Sequence, residues 1–328
     1  MASSRFAKGM EAWCVAFVTT VLAILCNKYL MSGWPEFRYP TTLAAAHFAL
    51  AAAVSSVCVD CGWGLQSEPN GCAGAERLPP WYITAAFVIV SSAAAVLSNA
   101  SLLLNTVAYY QGMNLAGLSL VALAEIWAGT KQFDVWHPIL YAVITLGVDM
   151  MIGAGWAVAP IALHVGLAAS AAAGAQQFFC AWLQARWDLS PLRLLSIASP
   201  FQAALLLAIG PVADAALFGG RVFKYSWTPG AAFILFVTCV LATQLSFWQC
   251  ASLKSLGPST HQALTQLTTA PILVVASLCF SPPKAWHLSQ RFGAALAAGA
   301  AGGLACYEQW LAEERECDAA EPLLPLVK

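Results

Sequence analysis

The sequence predicts an all-α polytopic membrane protein with ten transmembrane helices arranged as two inverted five-helix repeats. Three observations carry that prediction. Hydrophobic residues make up 60% of the 328 and charged residues only 9%, where a soluble domain carries about 25% charged residues. Mean hydropathy is +0.70. The stretch "ASLLLNTVAYYQ" at residues 100–111 returns as "ASLKSLGPSTHQ" at 251–262, with Ala, Ser, Leu and Gln at the same four places.

A helix needs roughly 20 apolar residues to cross the hydrocarbon core. That criterion gives spans at 12–30, 41–59, 81–103, 106–126, 136–152, 158–182, 192–217, 230–250, 260–280 and 292–311. The segment before the first span, "MASSRFAKGMEAW", lacks a small-residue cleavage site and a long Arg/Ser-rich arm, so the first apolar run reads as a permanent membrane helix. The first copy of the repeat joins spans three and four, and the second joins spans eight and nine. An offset of five helices is odd, so the halves must lie upside down relative to each other. Inverted repeats are a mark of alternating-access transporters that bind cargo near the midplane. The chain accordingly divides into an N-terminal segment (1–11), a first repeat (12–153), a second repeat (157–311) and an acidic tail (312–328). Lys and Arg fall nine against five between the two sets of loops, which predicts that both termini are cytosolic.

Net charge is -1, so no basic field suggests nucleic acid. The CxxC pair Cys58 and Cys61, with Cys72 beyond, reads as incidental thiols at a helix end. No nucleophile–base or metal-ligand constellation appears in the spans, so no enzyme, metal or cofactor is expected.

Polar groups inside spans are costly and mark function or packing. The ionisable ones singled out are Lys28, Glu125 and Asp149, with His47, His164 and His261. Lys28 lies near a span end, so snorkelling to the headgroups and a ligand-facing role both stand. Tyr110, Gln111 and Asn114 share one face of the fourth span, since i+3 and i+4 positions stack. On the ninth span Gln262, Gln266 and Thr269 stack on one face, with Thr265 and Thr268 beside them. Two such stripes at equivalent positions suit a central cavity, although Gln, Asn and Thr also serve as interhelical hydrogen-bonding groups. Pro160, Pro200 and Pro271 allow local breaks.

These same residues carry a resemblance to a known family. "LCNKYLMSGWPEFRYPTTLAAAHF" resembles an Asn-Lys stretch, an extended link and a Thr-Leu-x-x-x-His-Phe helix. "NASLLLNTVAYYQGMNLAGLSLVALAE" resembles a fourth-helix region, "LGPSTHQALTQLTTAPILV" a ninth, and "ASPF" at 198–201 a seventh-helix Ala-Pro motif. Over nearly the whole chain the pattern resembles the nucleotide-sugar and triose-phosphate translocators of the drug/metabolite transporter superfamily, and most of all the plant-type UDP-sugar transporters. That resemblance implies an endomembrane antiporter, of the Golgi or another compartment, exchanging a nucleotide sugar for a nucleoside monophosphate. Its partners would be a small-molecule substrate (nucleotide sugar or sugar phosphate) and membrane lipid, with a homodimer left open. Tyr110, Gln111 and Asn114 would face Gln262, Gln266, Thr268 and Thr269, and Lys28 would meet the phosphates. The chain departs from the family at Asn114 and Thr268, where lysines are usual, and at Ser246 and Gly257, where Asn and Ser are more common. The missing lysines keep two alternatives open: a transporter of a less charged metabolite, and a non-transporting membrane subunit that kept the fold.

Overall fold

The computed structural model describes residues 2–33, 36–62, 78–153, 159–219, 221–280 and 287–320, and among them there is no strand. The helices are α1 (Ala2–Ser32), α2 (Pro40–Asp60), α3 (Trp81–Leu104), α4 (Val107–Ala128), α5 (Trp136–Ile152) and α6 (Pro160–Trp187). They continue as α7 (Pro191–Phe218), α8 (Pro229–Leu256), α9 (Pro258–Thr265), α10 (Thr269–Phe280) and α11 (Leu288–Ala320). Short 3-10 turns occupy Val222–Lys224 and Gln266–Thr268. Proline opens α2, α6, α7, α8 and α9, where its missing N–H costs nothing.

Six helical stretches are long and apolar enough to cross a membrane: Ser4–Ser32, Pro40–Asp60, Trp81–Leu104, Pro191–Phe218, Pro229–Leu256 and Pro258–Cys279. Helix α5 is apolar but has only 17 residues. Helices α4, α6 and α11 are long but carry more Gly and polar residues, among them Gln111, Asn114, Gln176 and Gln177. Exposed aromatics gather at helix ends, with Trp81 at 82% and Trp127 at 90% exposure. This is the placement of a membrane-interface belt. The chain is a multi-pass membrane protein.

In packing, α1 runs along α8, α3 along α6, α2 along α7 and α5 along α11, while α4 lies on α6 and α10 touches α1. Close approach is built from small residues, as membrane helices require. A Cβ on Gly293 would stand 2.5 Å from Gly147 O, so α5 and α11 meet backbone to backbone there. The α2 start is held by Asp214 of α7, fully buried, which accepts from Thr41 N at 3.0 Å, Thr42 N at 2.9 Å and Thr42 Oγ1 at 2.7 Å. Two of these donors are N–H groups that a helix start leaves unpaired, and a carboxylate there also meets the positive end of the helix dipole. Asp214 was not singled out in the sequence.

The ninth span breaks ahead of Pro271, one of the prolines that allow a local break: α9 ends at Thr265 and the chain tightens into the 3-10 turn Gln266–Thr268 before α10. Pro271 has no N–H for the carbonyl four residues back, which removes the hydrogen bond that would continue an α-helix. A 3-10 turn advances three residues per turn, so the side-chain phase shifts across it.

Candidate functional site

A cavity of about 260 Å³ lies between α1, α2, α3, α4, α6, α8 and α9. Its wall carries Asn27 of α1, His47 of α2, Ser98 and Asn99 of α3, and Tyr110, Gln111 and Asn114 of α4. Opposite them stand Gln176 and Gln177 of α6, Ser246 and Gln249 of α8, His261, Gln262 and Thr265 of α9, and Gln266 and Thr268 of the 3-10 turn.

The two opening stretches build matching junctions. Asn105 ends α3 by donating its N–H to Ser101 O at 2.9 Å, and Gly257 ends α8 by donating to Leu253 O at 3.1 Å. Helix α4 starts at Val107 and α9 at Pro258, so Gln111 and Gln262 hold the same position, five residues into each helix. Both are buried and both border the cavity. Gly257 has φ 81 and ψ 161, a region essentially confined to glycine.

A chain of amides crosses the site. Gln177 Nε2 donates to Gln262 Oε1 at 2.9 Å, and Gln262 Nε2 donates to Asn114 O at 3.3 Å. Gln266 Nε2 donates to the same carbonyl at 3.4 Å. Gly117 makes room for this, since a Cβ there would stand 3.0 Å from Gln262 Nε2. Three buried atoms of wall residues, Asn27 Oδ1, Gln111 Nε2 and Gln177 Oε1, have no hydrogen-bond partner among the described residues. Buried amide groups are normally paired, so these three atoms mark an incompletely satisfied polar network at the wall. No Lys, Arg, Asp or Glu borders it among the described residues. The wall is mostly neutral dipoles, with His47 and His261 among them, and is suited to hydrogen-bonding recognition; among the described residues no group of three His, Cys, Asp or Glu could hold a metal ion.

Six of the eight residues expected at the site border the cavity: Tyr110, Gln111, Asn114, Gln262, Gln266 and Thr268. Thr269 does not; it is fully buried just beyond the 3-10 turn. Lys28 does not either. Its Nζ donates to Leu102 O and Asn105 O, each at 2.8 Å, so the ammonium closes the end of α3 instead of snorkelling or facing the cavity. Its neighbour Asn27 takes the wall position. The sequence reading passed over Asn27, Gln176, Gln177 and Gln249. The adjacent amides of "AQQF" inside an apolar run were the available signal. Cys58 and Cys61 lie at the α2 end as unpaired thiols, and Cys72 falls outside the described residues.

No protein-family model matches the chain. The chain is similar to UDP-rhamnose/UDP-galactose transporter 3 of Arabidopsis thaliana, at 28% identity over 279 residues that cover 83% of this chain and 75% of that one. It is also similar to UDP-xylose transporter 3 of the same plant, at 24% identity, covering 83% and 73% of the two chains. A third relative, nucleotide-sugar uncharacterized transporter 2, is 25% identical over 84% of this chain and 67% of its own. Each of these is named as a transporter and none as an enzyme. A solved crystal structure superposes with a TM-score of 0.62 at 17% identity, over 90% of this chain and 98% of the other, which is a likeness of fold.

Proposed function

We propose that this homologue of the plant nucleotide-sugar transporters is itself a nucleotide-sugar transporter, exchanging a UDP-sugar for a nucleoside monophosphate across an endomembrane, the Golgi or another compartment. The observation that carries the reading is the polar cavity, bordered by equivalent glutamines of α4 and α9, in a chain similar over 83% of its length to named UDP-sugar transporters. Tyr110, Gln111, Asn114, Gln262, Gln266 and Thr268 hold sugar and base by hydrogen bonds.

The mechanism is alternating access between two inverted five-helix repeats, 12–153 and 157–311, with both termini cytosolic. Support comes from the packing. Exchanging α1–α5 for α6, α7, α8, the α9–α10 pair and α11 turns the α1·α8 contact into α6·α3 and leaves α2·α7 and α5·α11 unchanged. The same exchange turns α4·α6 into α10·α1. A pseudo-two-fold relation of this kind lets one half rock against the other around a fixed site.

The test is uptake of UDP-galactose into vesicles reconstituted with the full chain, with and without internal UMP. Uptake that needs internal UMP supports exchange; uptake independent of it removes the antiport step; no uptake of any UDP-sugar removes the reading. A second reading, transport of a less charged metabolite, is favoured by the absence of Lys and Arg from the described cavity wall. Strong uptake of a neutral sugar in place of UDP-galactose would select it.

A further inference from the structure

We propose that His261 takes up a proton when an anionic cargo occupies the central cavity, and so supplies the positive charge that the cavity wall otherwise lacks. The inference rests on the nucleotide-sugar reading above and concerns how that same site meets the phosphates.

The titratable side chains on the described wall are His47, His261 and Tyr110, and Lys28 is held away by two carbonyls. A pyrophosphate entering such a cavity leaves water without meeting a fixed cation, which is costly. In a site of low effective dielectric, one nearby cation offsets far more of that cost than it would in water.

The hydrogen bonds around His261 can accommodate that cation. Its ring is buried between α8 and α9, with Nδ1 2.6 Å from Ser252 Oγ and Nε2 3.4 Å from Thr265 Oγ1. A hydroxyl has one hydrogen to donate. Each hydroxyl has a second acceptor within reach: Gln249 O at 3.1 Å from Ser252 Oγ, and His261 O at 2.8 Å from Thr265 Oγ1. A neutral ring accepts from Ser252 and donates to Thr265. When both hydroxyls turn their hydrogens to those carbonyls, both oxygens accept from an imidazolium, so the same pair of partners serves the charged ring. His47 has this arrangement at one nitrogen: its Nε2 lies 3.3 Å from Thr238 Oγ1, whose hydrogen goes to Leu235 O.

The charged groups on the elements around α9 have partners of their own. Glu125 of α4 accepts from Ser259 N at 3.2 Å. Lys131 pairs with Glu308 of α11, Thr260 donates to Glu308 at 2.8 Å, and Lys254 of α8 pairs with Asp188 at 3.0 Å. Tyr141 of α5 is buried in the same core, and the α6 neighbour is the neutral Gln177. Among the described residues, Ser252 and Thr265 are the hydrogen-bond partners of the ring. An anionic cargo in the cavity favours a cation beside it, so proton and cargo bind together.

The experiment is calorimetric titration of the purified full chain with UDP-galactose, in two buffers of different ionisation enthalpy, between about pH 6 and 8. The phosphates of this probe are diesters and gain no proton in that range, so any uptake belongs to the protein. The expected result is uptake approaching about one proton per ligand, with affinity falling by up to about tenfold for each pH unit raised. His261→Gln should abolish the uptake and flatten the profile, while His164→Gln, on the exposed face of α6 away from the cavity wall, should keep both. Binding without proton uptake in the wild type overturns the proposal and leaves the transport reading intact, whether or not the variants fold. Uptake that survives in a folded His261→Gln protein also overturns it. Failure of every UDP-sugar and nucleoside monophosphate to bind at any pH removes the transport reading, and this proposal with it.

Discussion

Gln177 and Gln262 are joined by a buried hydrogen bond of 2.9 Å that links α6 to α9, and Gln262 passes the connection on to the Asn114 carbonyl of α4. Two amides from helices far apart in sequence are thereby fixed at the wall of one cavity, each by the other. Replacing Gln262→Leu strands the Gln177 amide and removes a donor from Asn114 O. Leaving a buried polar group unpaired costs about 1–3 kcal/mol. The expected outcome is a lower melting temperature in detergent, together with loss of UDP-galactose uptake of at least about tenfold, the equivalent of 1.4 kcal/mol. The double change Gln177→Leu with Gln262→Leu should recover part of the stability and none of the uptake. Unchanged uptake in either protein would show that the amide pair only packs.

Asn99 begins an Asn-Ala-Ser sequon that should carry no glycan. It is 8% exposed, lies within α3 and donates to Pro40 O at 3.4 Å. Glycosylation requires an accessible loop asparagine. Glycosidase treatment of protein from eukaryotic cells should leave its mass unchanged at this site. A shift that maps to Asn99 would move α3 out of the membrane.

Much of this arrangement is legible in the sequence because its signals are local. Apolar run lengths mark the helices, and the repeated junction marks Gln111 and Gln262, which the structure brings to the same cavity. What the sequence hides depends on partners far along the chain. Asp214 looks like a stray acid in an apolar run until Thr41 and Thr42 meet it from α2. Lys28 satisfied two readings equally until the α3 carbonyls bound its ammonium. Thr269 followed from an unbroken 3.6-residue stack, which the 3-10 turn ahead of Pro271 interrupts. Periodicity reports the face of a regular helix and fails where the helix is interrupted.

Lys131 and Glu308 form a mostly buried ion pair, each 14% exposed, that fastens the α4–α5 link to α11. Lys131 also reaches Thr260 Oγ1 at 2.8 Å, and His137 Nε2 lies 3.2 Å from the same Glu308 oxygen, so the pair anchors the start of α9 as well. Removing one partner leaves an uncompensated charge, which costs more than the intact pair contributes. Lys131→Met should lower stability by about 3 kcal/mol. Lys131→Met with Glu308→Gln should recover part of it, as a detergent melting series would read. Equal melting temperatures for single and double variants would mean that the two charges do not act as a pair.

Asn114 and Thr268 both border the cavity, at the positions where the family resemblance implies lysine. A hydrogen bond to a charged group contributes on the order of 1.5–3 kcal/mol, more than a neutral one. Two lysines at these positions should therefore strengthen binding of a UDP-sugar by tens-fold or more, since each 1.4 kcal/mol is a factor of ten. They should also remove the advantage of acid pH, because fixed ammonium groups would supply the charge otherwise borrowed with a proton. Thr268 is 2% exposed, so its lysine must lie along the cavity to avoid overpacking. A melting curve of the double variant Asn114→Lys with Thr268→Lys checks that it does. In reconstituted vesicles, the expected outcome is UDP-galactose uptake at lower concentration with a flat pH profile. A folded double variant that binds UDP-galactose more weakly than the wild type would mean that the neutral side chains are themselves part of recognition, set by their hydrogen-bonding shape and not by missing charge.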